Sequence, residues 1–131
     1  MIKVNLQNIL GLAVLGMTLL ATPVPTWAGE VYLDEVFVSN FDAGGSMAGA
    51  RYSLDNKQYI GCNLYAASNA SPMVYCSARD SYARYYSCSS TDLEYVEQTQ
   101  RMTASAFIYF KADSAGVCSQ LHIHNLSSRL P

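Results

Sequence analysis

The chain has 131 residues, with eight Lys and Arg against ten Asp and Glu, two His, four Cys and ten Tyr. A formal net charge of −2 leaves it no electrostatic pull toward nucleic acid or an anionic membrane surface. Being rich in tyrosine and poor in lysine, it suits strands and adhesive surfaces better than solvated helices.

The first element is a leader. Lys3 precedes an apolar run over 9–21, Pro23 and Pro25 break it, and Thr26-Trp27-Ala28 ends in a small residue suited to signal peptidase. That run falls short of the roughly 20 residues that span a bilayer, so 1–28 reads as a cleaved signal peptide with Gly29 the first mature residue. No cysteine precedes Cys62, which removes a lipid-modified cysteine. The expectation is an exported protein, free in solution, with no stable membrane anchor after cleavage. Loss of Lys3 moves the formal charge from −2 to −3, because all ten acidic residues lie beyond 28. Residues 29–131 make one small domain, of a size that is marginal without staples.

Within it, 31–39 is strand-like, but its apolar phase switches at Asp34-Glu35, which predicts a bulge or two short strands. The glycine-rich stretch 40–49 predicts a loop, and 50–54 a strand with Ala50, Tyr52 and Leu54 on one face. Asp55-Asn56-Lys57 predicts a turn. Ile60, Cys62 and Leu64 share one parity, as do Val74, Cys76 and Ala78. A hairpin about Asn69 pairs 64 with 74, 62 with 76 and 60 with 78, so both apolar faces coincide and the two cysteines stand opposite each other.

A further strand is predicted over 82–88. Thr91 and Glu94 form a T-x-x-E capping box for a short helix over about 91–101, with Leu93, Val96 and Met102 apolar. Residues 105–111 and 117–125 flank the turn Asp113-Ser114-Ala115-Gly116, predicting Ile108 opposite Leu121 and Phe110 opposite Ser119. Phe107, Tyr109, Cys118 and His122 then fall on the other face, which is too aromatic to lie bare and for which the helix is the nearest cover. These placements favour disulfides Cys62–Cys76 and Cys88–Cys118 among three possible connectivities. The predicted fold is mainly β, of α+β type: a small antiparallel sheet with one short helix, stapled by disulfides.

Chemistry is sparse in the pattern. Cys118, His122 and His124 share a parity, so His122 and His124 could reach one metal ion with a thiolate completing the set, but an exported cysteine is expected to be oxidised. No C-x-x-C pair marks structural zinc or a redox centre, and no G-x-S-x-G marks a hydrolase. Adjacent Asp34 and Glu35 should point to opposite faces, unlike a glycosidase pair, unless the expected bulge re-aims one. The segment 78–86 interleaves Arg79 and Arg84 with Tyr82, Tyr85 and Tyr86, residue types enriched at binding hot spots. Its plainer reading is a strand whose tyrosines cover a sheet. N-x-S sequons stand at Asn69 and Asn125.

The stretches RYSLDNKQYIGC, VYCSARD, SCSS and FIYFKADSAGVC resemble a group of uncharacterised small exported bacterial proteins with similar YIGC, YCSARD and YIYF segments between four cysteines. The resemblance covers roughly 50–125 and omits the leader. It implies a bacterial origin, hence periplasm or medium and idle sequons, and carries no activity or functional residue. The function expected is a non-catalytic protein that binds an unidentified protein or glycan, without a cofactor. A metal-binding protein using His122 and His124, or a small secreted enzyme, is the contrasting expectation.

Overall fold

The structure, a computed structural model, describes residues 32–126. The leader expected at 1–28 lies outside them. Among the described residues, seven strands form two antiparallel sheets: β1 (Phe37–Val38), β2 (Asp42–Ser46), β6 (Phe107–Ala112) and β7 (Cys118–His124) in that spatial order, and β3 (Tyr59–Ala67), β4 (Ala70–Arg79) and β5 (Tyr85–Ser90) in theirs. The core between them contains Val36, Val38, Ala43, Ile108, Phe110 and Leu121 from the first side, and Ile60, Cys62, Val74, Cys76, Ala78 and Cys88 from the second. The mainly β, disulfide-stapled reading holds, with two sheets and two helices among the described residues where one of each was expected.

The hairpin of β3 (Tyr59–Ala67) and β4 (Ala70–Arg79) has the register read from the alternation: Ile60 opposite Ala78, Cys62 opposite Cys76, Leu64 opposite Val74. The register shifts between Tyr65 and Ala67, ahead of the turn at Ser68 and Asn69. Cys62 and Cys76 are bonded, with their Cα atoms 4.0 Å apart. The second disulfide joins Cys88 of β5 (Tyr85–Ser90) to Cys118 of β7 (Cys118–His124), and so ties the two sheets together. On the chain-entropy account these loops stabilise the fold by about 3 and about 4 kcal/mol.

The glycine-rich stretch is not a loop. It forms β2 (Asp42–Ser46) and then α1 (Met47–Arg51), with β1 (Phe37–Val38) antiparallel to β2. The glycines serve close approach. A Cβ on Gly44 would lie 2.7 Å from the Phe37 ring, and one on Gly49 2.2 Å from the Asp34 carbonyl oxygen. Ser46 caps α1, its Oγ accepting the Gly49 N–H at 2.8 Å. Ala50 therefore belongs to α1, and Tyr52 and Leu54 are exposed rather than aligned on a strand face. Of the described residues of the segment 31–39, only Phe37 and Val38 are strand. Val36 and Val38 are buried, while Leu33 is exposed. The Asp55 turn forms, its carboxylate accepting the Lys57 and Gln58 N–H groups.

The second helix, α2 (Leu93–Gln100), is capped by Asp92 rather than Thr91, with the Asp92 carboxylate accepting the Glu94 N–H at 2.9 Å. Val96 and Thr99 face inward, and Leu93 is exposed instead of packed. The helix lies against β3, β4 and β7. It leaves His122 and His124 exposed on the outer face of the four-stranded sheet.

Strand β6 (Phe107–Ala112) pairs with β7 two residues away from the expected register, Ile108 opposite Ile123 and Phe110 opposite Leu121. The Asp113 side chain causes the offset by accepting the Ala115 and Val117 N–H groups, which extends the turn to Val117 with Gly116 at φ 80°. A register shift after Lys111 then turns Cys118 into the core, away from the face of His122 and His124.

Candidate binding surface

The outer face of the three-stranded sheet is built from the residues that alternate with the core positions. Its cross-strand rows are Tyr59, Arg79 and Tyr85; then Gly61, Ser77 and Ser87; then Asn63, Tyr75 and Ser89; then Tyr65 and Met73. Tyr59, Tyr65 and Tyr85 are exposed by 39%, 52% and 47%, a tyrosine density that neither helix of the described residues covers. Gly61 opens the floor, since a Cβ there would meet nothing within 4 Å.

The hydroxyls of Tyr75 and Tyr85 are hydrogen-bonded at 2.6 Å. Four residues of rise and one inter-strand step separate the two Cα atoms by about 14 Å, and each side chain reaches roughly 6.5 Å, so the tips meet only with both long axes laid along the sheet. The pair thus forms a low platform spanning the Ser77 and Ser87 row. A hydrogen bond from Ser87, then one from Tyr85, holds the Tyr75 phenol below its usual range. At Tyr85 the lowering by Ser87 is outweighed by Tyr75 and desolvation, and that phenol is raised.

Arg79 stands beside this platform with its Cζ 5.6 Å from the centroid of the Tyr59 ring, in cation–π geometry. Of the five residues singled out from the sequence, Arg79 and Tyr85 share this surface, directly opposite one another. Tyr82 and Arg84 sit instead in the tight β4–β5 turn. There the buried Asp80 carboxylate accepts the Tyr82 N–H at 3.0 Å, the Arg84 N–H at 2.9 Å and Arg84 Nε at 2.6 Å. Arg84 also lies 5.5 Å over the Tyr82 ring, so its head group is engaged within the turn.

Tyr86 faces the opposite way. It stacks on Phe110 at 5.8 Å, donates to the Phe41 carbonyl at 2.5 Å and accepts the Ala112 N–H at 2.9 Å, bolting the two sheets together. Tyr59, Tyr65 and Tyr75 went unnoticed in the sequence. The signal was present, because the register that sets Cys62 opposite Cys76 also sets Tyr59 opposite Arg79.

His122 and His124 do share one face, their ring centroids 6.5 Å apart. Each packs on a cross-strand aromatic ring at 5.8 Å, His122 on Tyr109 and His124 on Phe107. Among the described residues no group of three or more His, Cys, Asp or Glu could hold a metal ion. Cys118, the third ligand considered from parity, is consumed by its disulfide. A recess of about 450 Å³ runs between α2 and β7, and an apolar one of about 520 Å³ lies beside α1 under Met47, Arg51 and Tyr52. The chain matches no protein-family model, no curated protein and no solved structure.

Proposed function

We propose that this chain is a small exported binding protein without catalytic activity, whose protein or glycan ligand lies across the outer face of the three-stranded sheet. The observation that carries this reading is the uncovered platform of Tyr75 and Tyr85 with Arg79 and Tyr59 beside it. Tyrosine supplies broad contact area at low conformational cost, and arginine adds a rigid hydrogen-bonding fork. The leader pattern in 9–28 supports export, as do two disulfides, which persist in oxidising compartments. Among the described residues no helix is long and apolar enough to cross a membrane.

The test is binding to glycan and peptide arrays by the oxidised protein, by a Tyr75→Ser/Tyr85→Ser variant and by a His122→Ala/His124→Ala variant. Binding is expected within at least one array, lost in the tyrosine variant and kept in the histidine variant. Absence of binding on both arrays, or binding that survives loss of the two tyrosines, refutes the reading.

A further inference from the structure

We propose that the ligand of this face is an acidic glycan, a sugar chain bearing carboxylates of the polyuronate kind, with Arg79 receiving one carboxylate and the tyrosine platform carrying the adjoining rings. The inference rests on the reading of this face as the binding surface, and names what it binds.

Charge is the first argument. Arg79 is the one charged residue in the rows from Tyr59 to Met73, and none of the others is a carboxylate. A chain of net charge −2 thus presents a local positive point on a neutral aromatic ground. Arg79 has no acidic partner among the described residues. Arg84, by contrast, is paired with Asp80 at 2.6 Å, and Arg101 lies 4.0 Å from Glu97. With the Tyr59 ring holding the guanidinium by its face, the edge that carries the N–H fork remains for a carboxylate, which it can grip with two parallel hydrogen bonds.

The remaining surface separates a sugar from a peptide. Protein partners anchor through side chains buried in pockets; the recesses beside α1 and between α2 and β7 lie away from these rows, and the apolar one of about 390 Å³ at Tyr65 and Met73 sits at the hairpin tip, the far end of the face from the Tyr59–Arg79 row. The rows themselves offer a low platform, an open floor at Gly61 and the neutral polar groups of Asn63, Ser77 and Ser87. Such a surface suits a chain with an apolar ring face and many hydroxyls, laid along it rather than inserted.

The test titrates the isotopically labelled, oxidised protein with oligogalacturonate and oligoguluronate, with their methyl esters, and with polyglutamate, following backbone amide shifts. The acids should produce saturable shifts at Gly61, Ser77, Arg79 and Tyr85 and bind at least about tenfold more tightly than the esters, the scale of one charge-assisted hydrogen bond. Arg79→Gln should abolish that preference while keeping the dispersion of the spectrum. Equal affinity for acid and ester overturns the acidic class and leaves a glycan-binding face standing. Tighter binding of polyglutamate at the same amides overturns the glycan and leaves the face standing. Absence of binding of both uronates to millimolar concentration, or shifts confined to other surfaces and indifferent to Arg79→Gln, overturns the inference, and the array experiment then decides the fate of the face.

Discussion

Tyr85 and Tyr86 are neighbours in sequence with opposite duties, and removing one hydroxyl at a time separates them. In Tyr86→Phe the ring and its stacking on Phe110 remain, but the Ala112 N–H loses its 2.9 Å acceptor and the Phe41 carbonyl its 2.5 Å donor. The Phe41 carbonyl belongs to an exposed residue and can turn to water, whereas the Ala112 N–H is partly buried and becomes an orphan. One net hydrogen bond at about 1 kcal/mol and one half-desolvated donor at about the same give a loss of about 2 kcal/mol. In Tyr85→Phe an exposed hydroxyl leaves an exposed Tyr75 partner, and the loss should stay within about 0.5 kcal/mol. Urea unfolding with both disulfides intact measures the two variants on one scale, at an unchanged m-value. Equal stabilities for Tyr86→Phe and the parent would refute the assignment of this hydroxyl as a bolt between the sheets.

The β4–β5 turn supplies two tests. Ala83 has φ 65°, in the left-handed region, so Ala83→Gly should raise stability by about 1 kcal/mol; a loss would mean the turn relies on the alanine side chain. Asp80→Ala should cost about 2 kcal/mol, mostly through the orphaned Tyr82 and Arg84 N–H groups, since Arg84 is 58% exposed and its ion pair is screened by solvent. Asp80→Asn, which can still accept, should recover part of that loss. At Tyr109, burial and then the 2.9 Å hydrogen bond to Asp42 raise the phenol above its ordinary value. A raised acid keeps its proton longer when folded, so this contribution to stability is complete below about pH 10 and fades as pH climbs through the folded pKa. Tyr109→Phe should flatten the alkaline fall in stability, and an unchanged slope would reject the assignment.

The fold was legible in proportion to how local its determinants are. The 60–78 hairpin follows from unbroken alternation on both strands, which leaves one register that buries both faces. The stretch from Phe41 to Gly49 misleads because its glycines answer to distant atoms, the Phe37 ring and the Asp34 carbonyl, whose approach no local pattern announces. The β6–β7 register slipped on a side-chain effect, the Asp113 carboxylate capturing N–H groups beyond the turn it opens. An even offset kept His122 on its expected face, while the irregularity beside Ala112 sent Cys118 to the other. In the candidate surface, Arg79 and Tyr85 were visible as types, but their separation from Tyr82, Arg84 and Tyr86 depended on where β5 begins. That start is set by Asp80, an aspartate whose burial is a tertiary fact.

Both sheets carry aromatic residues on their outer faces, yet the two faces differ in what is left over. On the four-stranded sheet Phe37 lies on Gly44 and beside Tyr109, Tyr109 is bonded to Asp42, and the imidazoles pack on Tyr109 and Phe107, so the rings are largely engaged with each other. On the three-stranded sheet Arg79 keeps its hydrogen-bonding edge and Tyr65 is more than half exposed. The inner side of that sheet shows why this is tolerable. Its core positions include three half-cystines, Cys62, Cys76 and Cys88, so covalent bonds supply stability that a larger apolar core would otherwise have to provide. Stability that resides in disulfides and in the inner face depends little on the outer one. Substitutions at Tyr59, Tyr75, Arg79 and Tyr85 should therefore leave the protein folded, and binding lost through them reports contact rather than collapse.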